Sequence, residues 1–122
     1  MPSTPKPVKH DPKKPLQISV VSKSPHVVAY RLWSNTPTDA EWAVIGDGTT
    51  GDDTPDTVEV GPYPNGTQIA YWLGIGGNPN SRYTVLVLFA QDGSLLEGGT
   101  SLVQGRVDSD GLAIEEGTVE LK

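Results

Sequence analysis

Two packed antiparallel sheets with no long helix are what this sequence predicts, and three observations predict them. Apolar residues alternate with polar ones at period two in most apolar segments. Glycine and proline, 14 and 11 of 122 residues, interrupt the chain too often for extended helices. Turn pairs recur roughly every ten residues, the spacing of short strands in a β-sandwich.

Residues 1–15 hold five prolines: Pro2, Pro5, Pro7, Pro12 and Pro15. Proline has no amide donor and a fixed φ, so this Pro/Lys-rich stretch is expected to be a disordered tail. The domain is expected over 16–122, with order beginning at Leu16. Leu16, Ile18 and Val20 alternate with Gln17 and Ser19, and Val28, Tyr30 and Leu32 with Ala29 and Arg31. A helical turn fits Pro37 to Glu41, and the short apolar run Trp42 to Ile45 follows it. Val58 and Val60 flank Glu59. Ile69, Tyr71, Leu73 and Ile75 share one face of a longer strand, with Ala70 and Trp72 on the other. Tyr83, Val85, Val87 and Phe89 repeat the pattern. Leu86 and Leu88 make that strand's second face apolar too, which predicts a central strand covered on both sides.

The turns follow from residue type. Asn65-Gly66 is a preferred pair for a type I′ hairpin, because both central positions need positive φ. Asp92-Gly93 and Asp110-Gly111 predict two further hairpins, and the run Gly76 to Asn80 joins two of the strands. About eight or nine short strands result, which suits a two-sheet sandwich.

The run Gly105 to Leu121 contains Gly105-Arg106-Val107-Asp108-Ser109-Asp110-Gly111, then a short apolar strand and Gly117-Thr118-Val119-Glu120-Leu121. It resembles a hairpin of bacterial immunoglobulin-like sandwiches, and Asn78 to Phe89 resembles the turn and Tyr-Thr-Val strand found there. Together these cover about a third of the chain. The resemblance implies an immunoglobulin-like β-sandwich and no activity.

Charge narrows the partners. The first 15 residues carry four lysines against one aspartate, a net of +3. Residues 16–122 carry five basic and fourteen acidic side chains, a net of −9. An acidic body repels phosphate backbones and anionic lipid surfaces, so neither nucleic acid nor membrane is an expected partner. No apolar leader segment and no run of about 18 apolar residues is visible. The expected setting is the cytoplasm, or export by a non-classical route. With no cysteine, disulfides are excluded.

Chemistry-bearing candidates are few. Asp47, Asp52, Asp53 and Asp56 fall within ten residues of a glycine-rich segment and offer the oxygen ligands calcium needs, although the spacing matches no EF-hand. A solvated acidic connection between strands is the simpler explanation. Asp108-Ser109-Asp110-Gly111 opens like an EF-hand loop and fails beyond it, so a turn explains it. Gly74 to Asn78 has no phosphate-loop Lys-Ser/Thr after it. Asn65-Gly66-Thr67 fits a glycosylation sequon as well as a turn. Of the two histidines, His10 and His26, neither has a neighbour that marks a catalytic base, and no nucleophile elbow is present.

Trp33, Trp42 and Trp72 stand out. Trp33 and Trp72 fall opposite the apolar stripe of their strands, so they either fill space at the sandwich edge or face a partner. Exposed indoles beside Asn78, Asn80 and Arg82 would suit a sugar face or a protein hot spot. The expected function is a non-catalytic binding or assembly module working by protein contacts, including self-association. A carbohydrate-binding module or lectin, with or without calcium, is the alternative, and a small hydrolase using clustered carboxylates the next. No cofactor other than calcium is expected.

Overall fold

The computed structural model describes residues 5–122. Among these residues nine strands form two sheets: β1 (Lys6–Val8), β2 (Leu16–Ser22), β3 (Val27–Asn35), β4 (Ala43–Thr50), β5 (Asp56–Val60), β6 (Gln68–Gly76), β7 (Arg82–Gln91), β8 (Ser94–Arg106) and β9 (Leu112–Leu121). The order is β1-β9-β6-β3-β4 in one sheet and β5-β2-β7-β8 in the other. All pairings are antiparallel except β1 with β9. Among the described residues there is no helix; Pro37 to Glu41, expected as a helical turn, is a turn closed by the Asp39 amide on Thr36 O at 3.0 Å. The Asp39 carboxylate accepts from the Thr36 amide, a bond that holds its pKa below the ordinary value.

The alternating residues meet between the layers. Leu16, Ile18 and Val20 of β2 and Val85, Val87 and Phe89 of β7 face Val28, Leu32, Ile69, Leu73 and Ile75 of the other sheet, all fully buried. Each such side chain contributes about 1.5–3 kcal/mol on burial. β7 lies inside its sheet as expected. Its second face is not covered, however: Leu86 and Leu88 are half-buried by their neighbours alone, with no third layer among the described residues.

Three further sequence expectations are corrected. Order begins before Leu16: β1 pairs with β9, and Val8 at 0 % exposure joins the core. Lys9 N donates to Glu97 O, so this segment bridges the two sheets. The predicted tail therefore holds a strand from Lys6 to Val8, while residues 1–4 lie outside the described residues. Second, Asn65-Gly66 and Asp110-Gly111 do not close hairpins. They lie on crossings between sheets, and only the glycine of each pair has positive φ, 91° and 78°. Asn65-Gly66 is a type II turn closed by Thr67 N on Pro64 O at 3.3 Å. Asp92-Gly93 is a hairpin with both residues at positive φ, as type I′ requires. Third, Gly46 to Thr50 is not a connecting loop but the second half of β4.

Candidate functional site

The outer face of the five-stranded sheet collects the side chains that the core leaves out. On β3 these are Val27, Ala29, Arg31 and Trp33; on β6, Ala70, Trp72, Gly74 and Gly76; on β9, Leu112, Ile114 and Glu116. Register aligns them in rows. Trp33 lies opposite Ala70 and Val44, Arg31 opposite Trp72 and Asp47, Ala29 opposite Gly74 and Thr49, and Val27 opposite Gly76. Ile114 stands across from Gly74, Leu112 across from Gly76, and Glu116 across from Trp72.

Small residues make the floor of this face. The Trp72 indole lies over Gly74, where an added Cβ would come within 2.6 Å of the ring. Beside it an open groove of about 600 Å³ is lined by Ala29, Arg31, Trp33, Asp47, Thr49 and Trp72, among others. Arg31 Nη2 and Asp47 Oδ2 are 3.8 Å apart, an exposed ion pair at the groove wall. Of the seven large apolar side chains exposed among the described residues, Val27, Val44, Leu112 and Ile114 stand on this face, Ile114 at 65 %. A fifth, Trp42 at 45 %, immediately precedes β4. The other two, Leu95 and Leu102, lie on β8 of the second sheet.

Trp33 and Trp72 are thus brought together outside the core by the pairing of β3 with β6. Asn78, Asn80 and Arg82 are not with them. Asn78 and Asn80 sit in the crossing from β6 to β7, and Arg82 opens β7 in the other sheet. Arg31 and Ile114 were missed as site residues. The signal for Arg31 was its parity with Trp33; Leu112 and Ile114 alternate with Ala113, but a glutamate-rich strand gave no cue to which face was buried.

The four aspartates do not converge as a calcium site. Asp47 pairs with Arg31, Asp53 Oδ1 with Lys23 Nζ at 2.5 Å, and Asp56 accepts the Tyr30 hydroxyl. Asp52 occupies a turn at φ 53°. Among the described residues no three acidic or histidine side chains are grouped to hold a metal ion. The groove is lined by one carboxylate, Asp47, where paired-carboxylate hydrolysis needs two.

His26 is buried, and its ring nitrogens bond Ser24 Oγ at 2.9 Å and Ser81 Oγ at 2.8 Å. Ser81 Oγ donates to Asn78 O at 2.6 Å, so it accepts from the histidine. The ring packs edge-on to Tyr83 and fills the space above Gly77. This arrangement pins the β2–β3 and β6–β7 crossings together.

Between the layers, tyrosines carry the polar contacts. Tyr83 donates to Glu115, and burial together with that bond pushes its phenol up to about 12. Burial and then the bond to Asp56 raise Tyr30 in the same way. Burial also raises Tyr63 and Tyr71.

No protein-family model, no curated protein and no solved structure matches this chain.

Proposed function

We propose that this chain is a non-catalytic binding or assembly module that docks a protein partner on the outer face of its five-stranded sheet. One observation carries the reading: four of the seven large apolar side chains exposed among the described residues share that face with Trp33 and Trp72, and Trp42 adjoins it. Apolar surface gathered on one face marks an interaction site, whereas apolar residues scattered singly mean nothing. The occupant is a second copy of the chain. Arg31 and Asp47 lie side by side in one row, so a two-fold axis through that row sets each arginine against the partner's aspartate.

The immunoglobulin-like architecture belongs to this proposal. It is supported by the run β4-β3-β6-β9, which follows the C′, C, F, G order of variable-type domains. The other sheet departs from that order, because the β7–β8 hairpin falls between the strands matching F and G.

A second reading is favoured by the groove itself. Two indoles beside a guanidinium and a carboxylate suit the C–H face and hydroxyls of a pyranose. One set of variants separates the two. In sedimentation velocity over a concentration series, the wild type should form dimer, with a blue shift of tryptophan emission. Ile114→Glu should restore monomer, and Leu102→Glu, on the other sheet, should not. A wild type that stays monomeric throughout sinks the dimer reading. Glycan binding that survives Ile114→Glu and EDTA but is lost in Trp33→Ala would establish the second reading in its place.

A further inference from the structure

Residues 16–122 contain five cationic side chains: Lys23, Arg31, Arg82, Arg106 and Lys122. Three have carboxylate partners, Lys23 with Asp53, Arg31 with Asp47 and Lys122 with Glu120. Arg82 and Arg106 form no ion pair among the described residues, although that same stretch carries fourteen acidic side chains. These two are also neighbours. Register sets Arg82 at the start of β7 directly opposite Arg106 at the end of β8. Directly opposed residues of an antiparallel pair have Cβ atoms about 4.5–5.5 Å apart, and like charges there destabilise the sheet.

The surroundings orient Arg106 and leave the pair without a carboxylate partner among the described residues. Arg106 Nη1 donates to Asn80 O at 3.1 Å, and Asn80 is itself fixed at φ 63° by its amide on Asp108 O at 3.0 Å. The nearest acid along the chain, Asp108, turns Oδ1 to the amides of Asp110 and Leu112. In the next row Gln104 Nε2 reaches Thr84 Oγ1 at 3.4 Å, adding neutral polar groups to the arginines. The four side chains line an open groove of about 400 Å³.

The geometry points to an oxyanion site here, with Arg82 and Arg106 holding one compact tetrahedral dianion of the phosphate or sulfate class. Two guanidinium forks offer the planar, multidentate donors such an anion takes, and their combined charge matches a dianion. An anion between them turns the like-charge repulsion into attraction. The net −9 of the surrounding body disfavours a polyanion, so the ligand is a single group and not a nucleic-acid backbone.

The test uses the full chain with sodium phosphate, sodium sulfate, sodium acetate and sodium chloride at matched ionic strength. Phosphate and sulfate should raise the melting temperature above the chloride control, and acetate should not. Amide shifts in a phosphate titration should centre on Arg82, Thr84, Gln104 and Arg106. Arg82→Gln and Arg106→Gln should each weaken phosphate about tenfold or more, the loss expected for a charge-assisted bond. Both positions are exposed, so the variants keep the fold. An equal response to acetate, or an undiminished response in the double variant, would overturn the assignment. Phosphate against sulfate preference tells which anion of the class the site takes.

Discussion

Two glycines with the same φ separate backbone strain from steric exclusion. Gly93 and Gly111 both sit at φ 78°, each following an aspartate. An added Cβ at Gly93 meets nothing within 4 Å, whereas at Gly111 it strikes the Gly77 carbonyl. Gly93→Ala should therefore cost about 1–2 kcal/mol, the left-handed penalty alone. Gly111→Ala should cost measurably more by urea unfolding, because backbone has to move as well; equal costs would refute the close packing of the two crossings. The Asp-Gly pairs read alike in the sequence. What distinguished them, one closing a hairpin and one crossing between sheets, depends on where Gly77 sits in space. Tyrosine protonation gives a second outcome at this scale. Tyr83 is held near 12, above its ordinary value of 10.0, and Tyr30, Tyr63 and Tyr71 are raised too. The folded chain thus binds these protons more tightly than the unfolded one. The Tyr83 contribution is whole below pH 10 and is lost as pH rises through 12. Phenolate absorbance in an alkaline titration should appear with unfolding, not ahead of it near pH 10.

β1 is three residues long, yet it fastens one side of the sandwich. Lys6, Pro7 and Val8 pair with Val119, Glu120 and Leu121, and the chain continues to Glu97 O through the Lys9 amide. Lys6 Nζ also donates to Thr100 O. At the edge of the sheet Pro7 is tolerated, because only one side of an edge strand has to donate to the ladder. The sequence hid this strand for a physical reason. Proline density argues for disorder, and Val8 is the lone apolar residue between Pro2 and Leu16, so no alternation was available to read. β2, β3, β6 and β7 were legible because each places three or four apolar residues on one face. Val8→Ala should destabilise by about 2 kcal/mol, as the removal of core methyl groups does. Removing residues 1–9 should cost more, since it also uncovers Val119 and Leu121 and frees the Glu97 carbonyl. If melting of the truncated protein matches the full chain, the segment is a tail after all.

The core closes without any tryptophan, and that separation of packing from surface is what the whole molecule exposes. Phe89, Tyr30, Tyr71 and Tyr83 supply the buried rings, while Trp33 and Trp72 lie half-buried on the outer face and Trp42 is exposed. Period-two alternation made part of this legible: Trp33 and Trp72 were on the wrong parity for the core. It did not say that their strands are neighbours, that Ala29, Ala70 and Gly74 lower the floor around them, or that Ile114 arrives on the same face from forty residues away. Those facts need the pairing of β3 with β6 and of β6 with β9. The pairing yields a contrast between adjacent residues of one strand. Leu73 is fully buried, and Leu73→Ala should cost about 2–5 kcal/mol with its cavity. Trp72 is larger, but only part of its surface is withdrawn from water, against Gly74, so Trp72→Ala should cost about 1 kcal/mol. The order is the reverse of what side-chain size predicts for a core. Urea unfolding of the two variants measures it directly. A Trp72→Ala loss as large as that of Leu73→Ala would place the indole among the residues that hold the layers together and take it away from the proposed interface.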